Sequence, residues 1–408
     1  MRILFIVPYV PSLIRVRSYN LIRELAARGN QLTVVTLWTD EQERRDVNVL
    51  DQFPGVEVLA GLQPLWQSLW NCAWSLPTKM PLQAVFSWRR DLANGINDLL
   101  GSNERKPFDV VHVEHLRGSR YGLHVRSHQP RVPVIWDSVD CISYLFKQAS
   151  EQSRSAFGKL VTRLDLGRTQ RYEGWLAGQF TRAIITSEVD KQALLDLVPE
   201  TVQAAPIDVI PNGVDWEYFG EGEELHRDPA TIIFSGKMSY HANITMVSYL
   251  VNEIMPLVWS KQPEAKLMIV GKDPPKPICA LAQNPAITVT GTVADIRPYL
   301  RKATLAVVPL VYGAGSQLKL LEAMACGTPV VASSRAIMAL EAQPGKDLLV
   351  ANSPAEFAAR ILELIEYPDR SWQMGLSGRE YIKTRHRWAF IAERLEAIYR
   401  LVIEKPGV

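Results

Sequence analysis

The chain alternates short runs of Val, Ile and Leu residues with helical stretches, in two successive series. The first series opens with Ile3–Val7 and Gln31–Leu37, and the second with Thr231–Phe234 and Lys266–Val270. Apolar strands separated by helices form parallel sheets that are covered on both faces. The sequence therefore predicts an α/β protein with two Rossmann-like, doubly wound domains.

A turn-rich segment near residues 200–215 separates the two series. A chain of 408 residues has room for two or three domains. We assign residues 1–205 to an N-terminal domain and residues 206–385 to a C-terminal domain. A helix over about 386–408 is expected to pack back on the first domain.

The amino-acid composition argues against several classes of function. Lys and Arg total 45 against 43 Asp and Glu, and this near-neutral balance gives no overall reason to expect nucleic-acid binding. The cysteines form no CxxC pair, which argues against a zinc site or a redox pair and fits a reducing cytoplasm. The apolar runs are too short for a signal peptide or a membrane span. We expect a cytoplasmic protein, with peripheral contact to the inner face of a membrane as the alternative.

The segment 309–331, PLVYGAGSQLKLLEAMACGTPVV, carries the most specific signal. A predicted strand ends at Pro309, and small residues lead to Ser316, a good helix N-cap. The helix that follows is expected to end at Gly327. Backbone N–H groups exposed at the start of such a helix suit a phosphate group.

Lys319 and Glu322 lie three positions apart on this predicted helix and share one face. A lysine there can neutralise a diphosphate, and a glutamate can accept hydrogen bonds from a ribose diol. The alternative is a solvent-exposed Lys–Glu pair on a capped helix.

Gly315-x-x-x-Lys319-x-x-Glu322, followed by Gly327-x-Pro329, resembles the donor-binding motif of the GT4-type glycosyltransferases of GT-B fold. The subgroup that it resembles most is the bacterial sugar transferases of exopolysaccharide clusters. Further segments agree with the family in order and spacing: Pro8-Tyr9, Val209–Asp215, Phe234–Met238, Leu267–Gly271 and Thr290–Val293.

The resemblance implies two Rossmann-like domains that face each other across a cleft, an N-terminal acceptor domain and a C-terminal donor domain. It also implies a retaining transfer, without metal or cofactor, from a nucleoside-diphosphate sugar to a glycan or lipid-linked acceptor. The donor-binding residues that it implies are Gly236, Lys237, Thr292, Val293, Gly315, Ser316, Gln317, Leu318, Lys319 and Glu322.

The chain departs from the family pattern at three positions. Ala314 stands where the family usually has a first motif glutamate, which contacts the donor sugar. Ala242 stands where a lysine is usual, and Lys237 replaces the usual arginine. Two alternatives to a transferase therefore stay open: a non-catalytic nucleotide-sugar-binding or scaffold protein, and a nucleoside-diphosphate-sugar 2-epimerase.

Polar residues end two predicted strands of the N-terminal domain. Glu114 and His115 follow the run VVHV, and we predict that they activate the acceptor or contact the transferred sugar. The alternative is a salt-bridged loop. Asp137 and Asp140 follow the next strand, and we predict that one of them orients the acceptor hydroxyl, with an N-cap role as the alternative.

Two arginines, Arg15 and Arg17, follow the first predicted strand. They could meet the donor phosphates or an anionic acceptor. A solvated helix start is the interpretation that we favour.

Trp66, Trp70 and Trp74 recur at i, i+4 spacing among leucines. An aromatic stripe at this spacing favours packing in the protein core. The alternative is an interfacial membrane segment, because tryptophan with flanking cations is typical of one.

Overall fold

The structure is a computed structural model, and it describes residues 1–101, 106–152, 156–222, 227–311 and 318–404. The chain divides into two compact units. The first unit is Met1–Pro211 together with the C-terminal segment from Ala389, and the second unit is Asn212–Trp388. The domain limits predicted from the sequence, at residues 205 and 385, lie a few residues earlier.

The first unit holds a parallel sheet with the strand order β3-β2-β1-β4-β5-β6-β7. Its strands are β1 (Arg2–Val7), β2 (Gln31–Trp38), β3 (Val56–Leu62), β4 (Val110–Glu114), β5 (Val134–Val139), β6 (Arg182–Ile185) and β7 (Ile207–Val209). The apolar residues of β1 are buried along almost its whole length, as expected for a strand covered on both faces.

The helices of the first unit cover both faces of this sheet. Those described are α1 (Val16–Ala27), α2 (Glu41–Leu50), α3 (Leu65–Ser75), α4 (Leu82–Phe86), α5 (Arg90–Gly101), α6 (His115–His128), α7 (Ile142–Gln152), α8 (Ala156–Leu176) and α9 (Glu188–Leu195). The predicted N-cap at Ser187 is confirmed, because its hydroxyl accepts a hydrogen bond from the Asp190 amide.

The second unit holds another parallel sheet, with the strand order β10-β9-β8-β11-β12-β13. Its strands are β8 (Thr231–Ser235), β9 (Lys266–Val270), β10 (Ile287–Gly291), β11 (Leu305–Val308), β12 (Val330–Ala332) and β13 (Leu349–Val350). Both sheets are therefore of the predicted parallel, doubly wound kind.

The helices of the second unit alternate with these strands. Those described are α10 (Trp216–Phe219), α11 (His241–Tyr249), α12 (Met255–Trp259), α13 (Lys276–Cys279), α14 (Arg297–Lys302), α15 (Leu318–Ala325), α16 (Ser334–Ile337), α17 (Pro354–Glu366) and α18 (Pro368–Arg385). A π-helical turn (Leu250–Ile254) joins α11 to α12, and a 3₁₀ turn (Ala280–Gln283) follows α13. The expected helix stop at Gly327 follows α15, with a φ of 71°.

The last helix, α19 (Trp388–Glu404), contributes to the first unit from Ala389 onward. Arg28 pairs with Glu396 at 2.5 Å, and Tyr399 reaches His112 of β4. The C-terminal helix therefore packs on the first unit.

Each sheet has one point at which the order of strands reverses. In the first unit it lies between β1 and β4, and in the second between β8 and β11. Doubly wound sheets bind ligands beyond the carboxyl ends of the strands at such a switch point. We therefore expect the functional side chains to lie at these two switch points.

The tryptophan row of α3 lies on the surface. Trp66, Trp70 and Trp74 are 68%, 60% and 66% exposed, so the expectation that they pack in the core is wrong. The helix instead buries the small polar side chains of Ser68 and Ser75. None of the helices in the described part of the chain has the length and apolar character needed to cross a bilayer.

Candidate functional site

The switch point of the first unit is bridged by side-chain hydrogen bonds. Tyr9 follows β1 and Glu114 ends β4, and the Tyr9 hydroxyl donates to Glu114 Oε1. The Ser18 hydroxyl donates to the same oxygen at 2.7 Å. Glu114 is only 1% exposed, and its Oε2 has no hydrogen-bond partner among the residues that the structure describes. The glutamate therefore joins three elements from a buried position, and the alternative of a salt-bridged loop does not fit it.

Burial alters the ionisation of this pair. It raises the pKa of Glu114 to about 7, with a further contribution from the nearby Asp137 carboxylate. Burial and the Glu114 charge also raise the pKa of Tyr9 well above its ordinary value. Tyr9 thus stays protonated and donates, while Glu114 changes charge near neutral pH.

His115 begins α6 with a left-handed backbone, at a φ of 66°. Few non-glycine residues adopt this conformation, and strain of this kind concentrates at functional sites. The ring lies edge-on to Tyr9, 6.3 Å between centroids, and is partly exposed. Burial lowers the pKa of His115 to about 3. The imidazole is therefore neutral, and it can form a hydrogen bond with a substrate hydroxyl.

Asp137 forms a buried ion pair with Arg17. Arg17 Nε donates to Asp137 Oδ2 at 2.9 Å, and Arg17 also donates to the Ile210 carbonyl at 3.1 Å. The two side chains are 7% and 0% exposed. The favoured interpretation of a solvated Arg17 is therefore wrong. Arg15, by contrast, pairs with Glu43 at 2.8 Å nearer the surface.

Asp140 lies just beyond β5 and is partly exposed. The Thr186 hydroxyl donates to it at 3.2 Å, and burial raises its pKa to about 7. Helix α7 is capped by Glu173, which accepts from the backbone amides of Ile142 at 2.9 Å and Ser143 at 2.8 Å. The N-cap alternative is therefore wrong, and Asp140 is left at the carboxyl edge of the sheet.

His112, which lies in the middle of β4, was not predicted from the sequence. Its ring stacks on Phe5 at 4.0 Å, and its Nδ1 is 2.8 Å from the Tyr399 hydroxyl. Its Nε2 lies 3.7 Å from Asp137 Oδ2. A histidine within an otherwise apolar strand was the signal that could have revealed this buried polar cluster.

Three side chains of this cluster could ligate a metal. Ligand atoms of His112, Glu114 and Asp137 lie within 4.8 Å of one another. Arg17 already supplies a positive charge to Asp137, at 2.9 Å. The cluster is therefore built around an organic cation, which a divalent ion would have to displace or adjoin.

In the second unit, the glycine turn at the switch point, after β8, meets a second glycine turn after the neighbouring strand β9. Gly236 follows β8 with a φ of 147°, and a Cβ there would lie 2.8 Å from Asn243 Nδ2 and 3.3 Å from Lys319 Cε. Gly271 follows β9, where a Cβ would lie 1.8 Å from the Gly236 carbonyl oxygen. Only glycine fits either position. The stem of Lys319 therefore lies directly against the turn after β8.

Lys319 and Glu322 lie one turn apart on α15 and are both partly buried. Burial lowers the pKa of Lys319 to about 8 and raises the pKa of Glu322 to about 7. The alternative of a solvent-exposed pair does not fit this environment. An anion near Lys319 would favour its charged form.

The other predicted donor-site residues are spread along the carboxyl edge of the second sheet. Lys237 is exposed after β8, while Thr292 is exposed and Val293 partly buried after β10. Leu318 begins α15. Gly315, Ser316 and Gln317 lie outside the described residues, as does Ala314.

Family models match both units. The model for glycosyl transferases group 1 matches residues 229–367, and the glycosyl transferase 4-like domain matches residues 14–213. The chain therefore belongs to the GT4-type glycosyltransferase family, an enzyme family.

Curated relatives agree with this assignment. A D-inositol 3-phosphate glycosyltransferase of Segniliparus rotundus is 27% identical over 57% of this chain and 54% of its own length. An alpha-maltose-1-phosphate synthase of Mycolicibacterium smegmatis is 41% identical over 26% of this chain and 30% of its own length. The chain thus spans about half, or less, of the length of these relatives.

Solved structures resemble the chain over nearly its whole length. Sucrose-phosphate synthase from Thermosynechococcus elongatus has a TM-score of 0.67 at 18% identity, covering 99% of both chains. Anabaena HepE, solved with UDP and glucose, has a TM-score of 0.66 at 16% identity, covering 98% of this chain and 99% of its own. At such identities the likeness establishes the fold, which is of the GT-B class.

Proposed function

We propose that this protein transfers a sugar from a nucleoside-diphosphate sugar, held by the second unit, to a hydroxyl of an acceptor held by the first. The observation that carries the proposal is the position of Lys319. Its stem lies against the glycine turn at Gly236, at the switch point where a doubly wound sheet binds its ligand. Glu322 follows one turn later on the same helix.

The leaving group in such a transfer is a nucleoside diphosphate, so negative charge develops on its β-phosphate as the glycosidic bond breaks. Lys319 and Lys237 would stabilise that charge, together with backbone N–H groups at the start of α15. Glu322 would accept hydrogen bonds from the ribose hydroxyls. Backbone groups at Thr292 and Val293 would contact the base.

On the acceptor side, His115 and Asp140 are the candidate residues that are partly exposed and can contact a substrate. His115 is neutral, so it would hydrogen-bond to a hydroxyl of the transferred sugar or the acceptor. Glu114 is shielded, and it would act through Tyr9 as a positioning residue. Asp140, at the edge of the same sheet, would orient the acceptor hydroxyl.

The exposed face of α3 supports peripheral contact with an anionic membrane. Trp66, Trp70 and Trp74 lie on the surface, and Lys79 and Arg171 are exposed close by. Tryptophan prefers the membrane–water interface, and cations are attracted to anionic lipid headgroups. A glycan or lipid-linked acceptor at a cytoplasmic membrane surface, as in polysaccharide biosynthesis, would suit this arrangement.

Ala314 favours a second candidate, a nucleotide-sugar-binding protein without catalysis. It replaces a glutamate that the family uses on the donor sugar. Both candidates predict nucleotide binding, and only turnover separates them.

The test is a coupled assay for release of nucleoside diphosphate from a panel of nucleoside-diphosphate sugars, with polyprenyl-phosphate and glycan acceptors. We expect release and a glycosylated product with the donor's anomeric configuration by NMR, unchanged by EDTA and abolished in Glu322→Gln. Donor binding without any turnover would support the non-catalytic candidate, and a free 2-epimer would indicate the epimerase. Loss of turnover in EDTA, with recovery on adding Mg²⁺, would overturn the metal-free part.

A further inference from the structure

A cavity of about 520 Å³ lies in the first unit, between α6, α8 and the loop that follows α3. Its walls include the apolar and aromatic side chains of Met80, Trp88, Leu123, Tyr172 and Trp175. Small-molecule sites typically enclose about 300–1,000 Å³ and are lined mainly by such side chains. None of the described candidate catalytic or donor-binding residues lines it, so it is a separate site.

The charged side chains at this cavity are all basic. Lys79, Arg120 and Arg171 line it, and of the described residues around it none is acidic. The Arg120 guanidinium lies 4.3 Å from the centre of the Trp88 ring, and burial lowers its pKa. Among the side chains that the structure describes, no carboxylate pairs with any of these three cations. Within the described part of the chain, the cavity therefore combines apolar walls with positive charges that no carboxylate neutralises.

The cations of this cavity suit an anionic group of a ligand, and its apolar walls suit a hydrophobic part of the same ligand. A partly buried guanidinium without an anionic partner is unfavourable, and its planar fork suits the oxygens of a phosphate. Arg120 covers one face of Trp88, and the other apolar walls, which include the aliphatic side chains of Met80 and Leu123, suit a flexible aliphatic chain. We propose that this cavity, the amphiphile pocket, binds an anionic amphiphile with a phosphate or diphosphate head and an aliphatic chain.

The position of the pocket connects it to both the α3 surface and the candidate site. Arg168 of α8 donates to the Leu76 carbonyl at 2.6 Å, at the end of α3, and Lys79 follows in the same loop. Arg120 lies five residues after His115 on α6, roughly 8 Å along the helix axis. Resting on the proposed function, we assign the bound amphiphile as the lipid-phosphate part of the acceptor.

The test measures binding of dodecyl phosphate, below its micelle concentration, to the full-length protein by titration calorimetry. We expect one site per chain, with much weaker binding of inorganic phosphate and of dodecyl maltoside. Arg120→Met keeps the apolar stem but removes the charge, so it should weaken binding at least tenfold. Lys79→Met, an exposed change that leaves the core intact, should weaken it several-fold. Arg126→Met, on the same helix but away from the pocket, is the matched control and should bind as the wild type does.

Equal binding of dodecyl maltoside would overturn the anionic head, and equal binding of inorganic phosphate would overturn the aliphatic chain. Wild-type affinity in both Arg120→Met and Lys79→Met would overturn the pocket. The donor site provides an independent reference, since Glu322→Gln should abolish turnover and leave dodecyl phosphate binding unchanged. Turnover with a lipid-linked acceptor but no binding at the pocket refutes this inference alone, whereas binding without turnover refutes its acceptor role together with the proposed function.

Discussion

Replacing Glu114 by Gln should make the folded protein more stable at alkaline pH, even though it removes a residue of the candidate site. The carboxylate is buried beside Asp137, and in the described part of the chain one of its oxygens has no hydrogen-bond partner. Gln keeps an oxygen that can accept the hydrogen bonds of Tyr9 and Ser18. The substitution therefore removes a buried negative charge and keeps the hydrogen bonds from Tyr9 and Ser18 that position the side chain.

The magnitude follows from the pKa of Glu114, which rises from 4.5 to about 7 in the folded chain. Because the pKa of Glu114 is higher in the folded chain than in the unfolded chain, the protonated carboxyl favours the folded state. This contribution to stability is fully present below about pH 4.5 and is lost as the pH rises through 7. The full shift corresponds to about 3 kcal/mol. Between pH 5 and pH 8, Glu114→Gln should therefore gain about 2–3 kcal/mol in unfolding free energy relative to the wild type.

The assay is urea unfolding of both proteins at pH 5 and pH 8. Glu200→Gln is the matched control, because that glutamate is exposed in the same unit and its substitution should leave the pH dependence unchanged. An identical pH dependence in the wild type and Glu114→Gln would refute the electrostatic account of this cluster.

The other predictions concern the donor site, backbone strain and the exposed helix. Lys319→Met and Glu322→Gln should each weaken binding of the cognate nucleoside diphosphate at least tenfold, about 1.4 kcal/mol, by calorimetry; wild-type affinity in both would exclude this donor site. His115→Gly should be about 1 kcal/mol more stable to urea than His115→Ala, because only glycine is unstrained at a φ of 66°, and equal stabilities would argue against strain. Replacing Trp66 and Trp70 by Ser should reduce co-sedimentation with anionic vesicles without lowering the melting temperature, since both rings are mostly exposed. Full retention of vesicle binding would rule out α3 as the contact.

The fold was predictable because its determinants are local. Apolar runs such as Ile3–Val7 indicate strands that are buried on both faces. Ser187 indicates a helix start because its hydroxyl can cap the helix, and Gly327 indicates a helix end because glycine readily adopts a positive φ. The tryptophans of α3 were wrongly predicted to pack in the core, because their spacing is also a purely local pattern. Their i, i+4 spacing is identical for a core stripe and a surface stripe, and only the burial of Ser68 and Ser75 on the opposite face decides between them.

The sequence predicted which strand ends carry the residues of the candidate site, but not the hydrogen bonds and ion pairs that join those residues. Glu114 and Asp137 could be located because each follows an apolar run. Their partners could not, because Arg17 is 120 positions from Asp137 and Tyr9 is 105 positions from Glu114. Likewise, Glu173 caps α7 from a distant helix, so no local pattern assigns it that role. Long-range pairing of polar groups depends on the packed sheet, which sequence periodicity does not specify.

In the proposed function, the second unit binds a nucleoside diphosphate through Lys319 and Glu322. The most direct measurement is a thermal-shift screen of the wild type and Glu322→Gln against UDP, GDP, dTDP, ADP, CMP and their sugar conjugates. Ligand at 100 times its Kd stabilises the native state by about 2.7 kcal/mol. We predict a clear rise in melting temperature with one nucleoside diphosphate in the wild type and its loss in Glu322→Gln. No rise with any of these ligands, or an equal rise in both proteins, would contradict the account.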